Sequence, residues 1–189
     1  MRIDEKEDPR VRRTRKLLVE ALGELLTEKR FRAISVQDIT QRAEVNRVTF
    51  YGHFPDKYAI LEYWLREQFQ QQIASTSLTA CALNTDNLQA LSVVLTKWFA
   101  QLHRRAKPDD TQLLPLLFTT MQQELSLLLL EWVRQNPVQA LPPHLTLEAV
   151  VMVMSWAIFG TSLQWAHGAR SLSPEELAQQ VTTLLMASF

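Results

Sequence analysis

The sequence of 189 residues has few of the features on which several protein classes depend. Its single cysteine, Cys81, cannot form an intrachain disulfide, which fits a chain that works in a reducing compartment. The formal net charge is zero, and this balance taken alone argues against binding to nucleic acid. The four histidines show neither His-x-x-x-His nor Glu-x-x-His spacing, and there is no glycine-rich phosphate loop. We therefore disfavour a helical enzyme and expect no catalytic residues, no metal site and no cofactor.

Features of secreted and membrane-anchored chains are also missing. The N-terminus is charged and has no apolar segment of the kind found in signal peptides. The most apolar stretch, Ala149 to Phe159, is shorter than the ~20 residues that a membrane-spanning helix needs. We expect a cytoplasmic protein that does not engage a membrane.

Apolar residues recur at helical spacing through most of the chain. Between Leu88 and Leu102, for example, they are three or four residues apart, and no segment alternates with the period of two that strands show. Apolar residues make up 47% of the sequence, enough for a packed core. We predict an all-α fold of about nine helices, in which a helix over residues 56–75 links two domains.

The stretch from Ser35 to Lys57 has the layout of a helix-turn-helix. Ser35 can cap a first helix with Asp38 as its capping-box partner, and Asn46 can cap a second helix. Only Ala43 to Val45 separate the two. In a helix-turn-helix the second helix enters the major groove of DNA, so the segment predicts duplex DNA as a partner.

The charge distribution fits this partner better than the total does. Residues 1–67 contain 14 Lys and Arg and 12 Asp and Glu, a net charge of +2. Basic residues dominate from Arg10 to Lys16, where no acidic residue occurs. This basic run either follows the phosphates beside the groove or is a solvated helix start, where its charges oppose the helix dipole.

Over residues 12–61 the sequence resembles the TetR family of transcription regulators. The matching positions are Val36, Ile39, Ala43, Val45, Arg47, Thr49, Phe50, Tyr51, His53, Phe54, Lys57 and Leu61. A generic helix-turn-helix does not require the Tyr-x-His-Phe-x-x-Lys sequence that ends this segment. One departure is Glu44, because the family usually has glycine in the turn and a larger residue must accept a less favourable backbone geometry there.

The resemblance implies a DNA-binding domain of three helices over residues 1–55 and an effector-binding and dimerisation domain over residues 56–189. It implies a homodimer, formed through the last two long helices, that binds a palindromic operator and in most members acts as a repressor. A small lipophilic effector would release the DNA. The alternative is a helical adaptor of the same fold that acts through a protein partner and has lost DNA binding or uses it only secondarily.

Three positions of the motif are candidates for reading bases. Arg47 lies at the start of the recognition helix, where a guanidinium can bind guanine in a bidentate manner, although a phosphate contact or a solvated charge is an equal alternative. Val48 can pack on a thymine methyl group, and Gln37 matches a family position that sometimes reads a base.

The remaining candidates are assigned to the DNA backbone. The resemblance places five side chains on phosphates: Ser35, Thr49, Tyr51, His53 and Lys57. A capped or solvated side chain is the alternative for His53. If the charge of Lys57 meets a phosphate, its removal should lower the salt dependence of binding by about one unit.

Candidates in the C-terminal domain rest on weaker patterns. Trp98 and Met121 lie on helices that would surround an effector pocket, although core packing explains each of them as well. Large apolar side chains and one glycine mark the expected dimer interface: Trp156, Phe159, Gly160, Leu163, Leu177 and Leu184.

Overall fold

The computed structural model describes residues 8–76, 83–105, 113–135, 145–168 and 171–187. These residues form eight α-helices and one short 3-10 helix and contain no strand, which confirms the predicted all-α fold. Cys81 lies outside the described residues. The helices are α1 (Pro9–Glu28), the 3-10 helix (Phe31–Ala33), α2 (Val36–Arg42), α3 (Arg47–His53), α4 (Lys57–Ala74), α5 (Thr85–Arg105), α6 (Leu113–Gln135), α7 (Leu147–His167) and α8 (Pro174–Met186).

The chain forms two compact units. The N-terminal unit comprises residues 1–67 and 106–117, and the C-terminal unit comprises residues 68–105 and 118–189. The division after Glu67 falls inside α4, which therefore contributes residues to both units. The domain boundary that the sequence analysis places between residues 55 and 56 stays a prediction.

The core of the N-terminal unit is built from apolar faces of its helices. Helix α1 buries Leu18, Leu22 and Leu25, whose spacing places them on one side of the helix. Four further side chains of this unit are almost completely buried: Phe31, Ile34, Ile39 and Phe50. Burying side chains of this size stabilises a fold by roughly 1.5–3 kcal/mol each before the entropy cost is subtracted.

Helices α1 and α4 approach closely at a glycine. A Cβ atom added to Gly23 would lie 2.8 Å from Nε1 of Trp64, closer than such contacts occur. The missing side chain therefore lets the indole ring of α4 pack against the backbone of α1.

Helix starts are fixed by side chains close in sequence. Ser35 and Asp38 form both hydrogen bonds of a capping box at α2, and Asn46 Oδ1 accepts a hydrogen bond from the Val48 amide at α3. Both predicted caps are confirmed. A second capping box, between Ser173 and Glu176, begins α8. Such caps satisfy amides that have no partner inside the helix.

In the C-terminal unit, α5 packs against α7 and α8. The rings of Phe99 and Phe118 meet the ring of Phe159 edge-on, with centroids 5.3 Å and 5.9 Å apart. Edge-to-face contacts of this kind are a favoured geometry for aromatic pairs.

Helix α7 is apolar on most sides. Its 21 residues are long and apolar enough to cross a membrane. The shorter stretch from Ala149 to Phe159, the one singled out in the sequence, is too short to do so. Eight of its side chains are buried, and the core helix of a soluble protein can be equally apolar. Packing therefore accounts for the eight buried side chains of α7, and the helix is weak evidence for a membrane.

Two buried threonines of the C-terminal unit differ in their hydrogen bonds. Thr96 Oγ1 lies 2.9 Å from Ser162 Oγ and 2.7 Å from the Ser92 carbonyl oxygen. Thr182 is 1% exposed, and its Oγ1 has no hydrogen-bond partner among the described residues. A buried hydroxyl without a partner loses its hydration and gains nothing in return.

These two threonines give opposite predictions. Thr182→Val should raise the free energy of unfolding by about 1 kcal/mol, because it removes an unpaired hydroxyl and keeps the shape of the side chain. The matched control, Thr96→Val, should lower it by about 1 kcal/mol because it breaks a satisfied pair. Urea unfolding measures both. An equal loss of stability in the two variants would show that the Thr182 hydroxyl is paired.

Candidate nucleic-acid interface

The turn between α2 and α3 depends on one residue with an unusual backbone conformation. Glu44 has φ 53°, the only positive φ among the described residues. The Glu44 and Val45 amides donate to the carbonyl oxygens of Gln41 and Thr40, at 3.2 Å and 2.9 Å. The less favourable geometry predicted for Glu44 is confirmed, because left-handed backbone is strained for a residue other than glycine.

Helix α3 has one buried face and one exposed face. Phe50 is completely buried, and the adjacent Phe54 packs edge-on against Tyr63 with ring centroids 5.7 Å apart. Arg47 and Thr49 are exposed, and Val48 is 80% exposed. The apolar face fixes the rotation of α3 about its axis, so its outer face carries a guanidinium, a branched apolar group and hydroxyls.

Arg47 and Tyr51 lie one turn apart on the outer face of α3. Nη2 of Arg47 donates to the Tyr51 hydroxyl over 3.4 Å, and the guanidinium carbon lies 5.8 Å from the ring centroid. A guanidinium has five N–H donors, so one long bond to Tyr51 leaves the planar fork able to bind another acceptor.

The remaining predicted contacts on α2 and α3 are less uniform. Gln37 is exposed in the first turn of α2, and His53 is half-buried with its ring 6.4 Å from that of Phe54. Ser35 is exposed, but its hydroxyl donates to Asp38 Oδ2 over 2.7 Å and accepts from the Asp38 amide. A contact from the Ser35 hydroxyl to another acceptor would therefore compete with the capping box.

Lys57 is placed differently from a lysine that points into solvent. Its Nζ donates to the main-chain carbonyl oxygens of Phe31, Arg32 and Ile34 at 3.2, 3.4 and 3.0 Å. It also lies 4.6 Å from the ring centroid of Phe31. The local sequence contains no signal for these bonds, because the residues that accept them lie 23 to 26 positions earlier in the chain.

Ion pairs hold α2 against the end of α1. The Arg42 guanidinium contacts Glu24 at 3.1 Å and Glu28 at 2.8 Å, and Lys29 Nζ lies 2.8 Å from Asp38 Oδ1. Hydrogen bonding to Arg42 lowers the pKa of Glu28. The sequence patterns missed these pairs, whose signal is only the opposite charge of residues distant in sequence.

Asp38 is the acidic residue most strongly affected by these contacts. Hydrogen bonds from Lys29 and then from Ser35 lower the pKa of Asp38 to about 2. A carboxyl group whose pKa is lowered on folding stabilises the fold above its unfolded pKa, and that stabilisation is lost as the pH falls through the folded value. The capping box of α2 is therefore intact at neutral pH.

The basic run occupies the first turns of α1. Arg10, Arg12 and Arg13 are exposed. The Arg15 guanidinium lies over the Tyr63 ring, 5.7 Å from its centroid, and Lys16 forms a weak surface pair with a glutamate one turn later. The run is thus a mainly exposed set of cations, with Arg15 turned toward α4.

The predicted effector residues are both buried. Trp98 packs on Phe99 with ring centroids 5.2 Å apart, and Met121 is completely buried. Directly after Met121 a polar cluster begins, in which Gln122 Nε2 donates to Ser126 Oγ and Ser155 Oγ at 3.1 and 3.0 Å. Among the described residues, no group of His, Cys, Asp and Glu side chains could hold a metal ion.

Predicted interface residues divide into two sets. Trp156 and Leu184 are 53% and 71% exposed, and three others are half-buried: Gly160, Leu163 and Leu177. Phe159 differs from the prediction, because it is 2% exposed and packs inside its own chain. Two exposed apolar residues of α7 were missed by the sequence patterns, Met152 and Val153.

Comparison with known proteins gives a match over the helix-turn-helix. Residues 18–63 match the family model of bacterial regulatory proteins of the tetR family. The uncharacterized HTH-type transcriptional regulator YxbF of Bacillus subtilis is 40% identical over 56 residues, which cover 29% of this chain and 15% of YxbF. The dhaKLM operon transcriptional activator DhaS of Lactococcus lactis is 31% identical over 64 residues, 34% of each chain. The chain thus matches 15% and 34% of these relatives' own length.

Solved structures share the fold over nearly the whole chain. A TetR transcriptional regulator from Streptococcus agalactiae superposes with a TM-score of 0.61 at 19% identity, covering 93% of this chain and 95% of that one. FadR from Bacillus subtilis, solved with stearoyl-CoA, has a TM-score of 0.53 at 18% identity, with coverage of 92% and 98%. Identities this low show the fold alone.

The described residues thus form a capped helix-turn-helix followed by a larger set of helices. Residues 18–63 therefore match the helix-turn-helix segment of the tetR family of bacterial regulatory proteins, and the fold is shared with a solved TetR transcriptional regulator.

The turn gives a test of the strain at Glu44. Glu44→Gly should raise the free energy of unfolding by up to about 1 kcal/mol, because relief of the left-handed strain exceeds the added entropy of the unfolded chain. Glu44→Ala keeps the strain and is the matched control, with little change expected. Urea unfolding compares the two. If glycine gave no more stability than alanine, the backbone at this turn would not be strained.

Proposed function

We propose that this chain is a cytoplasmic, sequence-specific regulator of transcription that binds duplex DNA as a homodimer. The observation that carries the proposal is the outer face of α3, where Arg47, Val48 and Thr49 project from a helix whose other side is anchored by Phe50. A short helix presented in this way fits the major groove of B-DNA.

Base reading is assigned to the N-terminal end of α3 and to α2. Arg47 would bind guanine O6 and N7 through its guanidinium fork, and the exposed Val48 would pack on a thymine methyl. Gln37, exposed at the start of α2, is a further candidate. Phosphate contacts are assigned to Thr49, Tyr51 and His53, and to the basic run of α1, because these donors carry little sequence information.

We assign dimerisation to the exposed apolar surface of α7 and α8. Met152, Val153 and Trp156 follow each other on the outer side of α7, and Leu184 is the most exposed large apolar residue of α8. Contiguous exposed apolar residues are uncommon on monomers and often mark an interface. Two copies joined there would present two α3 helices to the half-sites of a palindrome.

For control we propose repression that is relieved by a small lipophilic effector bound in the C-terminal unit. Support comes from the burial of Trp98 and Met121 in the C-terminal unit, where the Gln122 cluster offers a few uncharged hydrogen-bonding groups. FadR has a related fold and binds stearoyl-CoA, which makes an acyl chain a sensible first probe. The name of DhaS, a transcriptional activator, makes activation the alternative direction.

Salt-dependent binding separates this proposal from a helical adaptor. A labelled duplex of random sequence, titrated by fluorescence anisotropy at several salt concentrations, should bind more weakly as salt rises, because phosphate contacts release counterions. Binding that is absent at every salt concentration would favour an adaptor acting through a protein partner.

Arg47 gives the most direct test of base reading. On a duplex selected from random sequences by the wild-type protein, Arg47→Ala should cost about 1–3 kcal/mol of binding free energy and relax the preference at one base pair. Arg134→Ala removes an exposed arginine from the end of α6 and is the matched control, which should bind normally. Unchanged specificity in Arg47→Ala would assign Arg47 to a phosphate or to solvent.

Trp156 tests the dimer. Trp156→Glu should shift the protein toward monomer in sedimentation velocity at micromolar concentration, because a charge replaces an apolar group in the proposed interface. Leu127→Glu is the control, since Leu127 is similarly exposed but lies on α6. A wild-type monomer at this concentration, or a Trp156→Glu dimer as tight as the wild type, would contradict the proposed interface.

A further inference from the structure

Lys57 is the first residue of α4, and its ammonium group is directed into the N-terminal unit. Three main-chain carbonyl oxygens accept from Nζ, those of Phe31, Arg32 and Ile34, at distances of 3.2, 3.4 and 3.0 Å. An ammonium group has three N–H donors and no acceptor, so three carbonyl oxygens match its capacity. The side chain is half-buried.

The acceptors lie in the 3-10 helix and in the residue that precedes the Ser35 cap, where carbonyl groups at a helix end can accept from donors outside the helix. The Phe31 carbonyl oxygen also accepts from the Ile34 amide over 3.0 Å. A lysine at such an end is favoured by the partial negative charge of these oxygens. The rings of Phe31 and Tyr58 lie beside the ammonium with centroids at 4.6 and 5.5 Å, within the range of cation–π attraction.

These hydrogen bonds connect the two ends of the helix-turn-helix segment. Ile34 and Lys57 are 23 positions apart, and the segment between them contains α2, the turn at Glu44 and α3. Each of the two helices has seven residues, too few to persist alone in water, so their positions depend on contacts at the ends of the segment and in the core.

We propose that Lys57 is a positioning residue, whose ammonium joins the two ends of the helix-turn-helix and so sets the placement of α3, and that this ammonium does not contact a phosphate. The proposal rests on the DNA-binding function proposed above. It replaces the phosphate role that the sequence motif suggested for the Lys57 side chain. Moving the ammonium to a phosphate would break all three of these hydrogen bonds, which opposes such a contact, although the Phe31 carbonyl oxygen would still accept from the Ile34 amide.

Two substitutions of Lys57 distinguish a positioning role of the ammonium group from a role of its charge alone. Lys57→Met keeps most of the aliphatic chain and removes the ammonium, whereas Lys57→Arg keeps the charge but replaces a compact group by a planar fork that does not fit three converging carbonyl groups. Lys16→Met is the matched comparison for the loss of a phosphate-binding charge, because it removes a largely exposed ammonium from the basic run.

The binding experiment uses full-length protein, a duplex selected by the wild type, and a duplex of random sequence over a range of salt. Lys57→Met should bind the selected duplex about 10-fold more weakly, with little change on random DNA. Its salt slope should change by less than about 0.3, against a fall of about one expected for a lost phosphate contact. Lys57→Arg should not restore the preference for the selected duplex.

Opposite results would overturn the proposal. A salt slope lowered by about one in Lys57→Met, equal weakening on both duplexes, and rescue by Lys57→Arg would assign the ammonium to a phosphate. A smaller fraction of active protein with unchanged affinities would also contradict it, because that result shows a role in folding only.

An NMR signal of the free protein tests the hydrogen bonds of the Lys57 ammonium without DNA. In the free protein, the ¹⁵N resonance of the Lys57 ammonium should be visible near neutral pH, because three bonded donors exchange slowly with water. It should vanish in Lys57→Arg and remain in Lys16→Met. Rapid exchange, with no detectable ammonium signal, would contradict the bonded state. If the wild type bound no DNA, the proposed function would fail, and this signal would still test the contacts of Lys57.

Discussion

The structure of the helix-turn-helix depends on how α3, a helix of seven residues, is held in place. Helix α3 makes too few internal hydrogen bonds to be stable alone, so its placement comes from its surroundings. Phe50 and Phe54 fix the side that faces the core, Asn46 caps its start, and the turn at Glu44 sets its angle to α2. The outer face can present a fixed pattern of side chains only because these contacts are satisfied together. A strained residue in the turn is consistent with this, since strain persists where surrounding packing determines the backbone.

The two units use their polar and charged groups differently. In the N-terminal unit, ion pairs such as Arg42 with Glu28 lie at the surface and contribute orientation more than stability. In the C-terminal unit, buried hydroxyl groups such as Thr96 and Ser162 pair with each other inside an apolar core, where an unmade bond is costly. The first arrangement orients α2 against α1, whereas the second joins α5 to α7 in the core.

Local rules predicted much of this structure from the sequence. The caps at Ser35 and Asn46 and the all-α fold follow from spacing and residue type, and the structure has them. The strained turn at Glu44 was expected from the family resemblance, and the structure has it too. Contacts between residues distant in sequence could not be predicted in this way. The bonds of Lys57 to the 3-10 helix, the pairing of Arg42 with α1 and the burial of Phe159 depend on how helices pack, and periodicity gives only the face on which a residue lies. The family motif identified Lys57 as a candidate functional residue, but it carried no information about the direction in which the ammonium group points.

The central claim is that two copies of α3 read a symmetric DNA sequence. The most direct measurement is selection of bound duplexes from a random library by the purified full-length protein at moderate salt. The account predicts a palindromic consensus whose half-sites are about one helical turn apart, as two identical recognition helices require. Recovery of no consensus, with only weak and salt-sensitive binding, would contradict it and would direct attention to protein partners of the C-terminal unit.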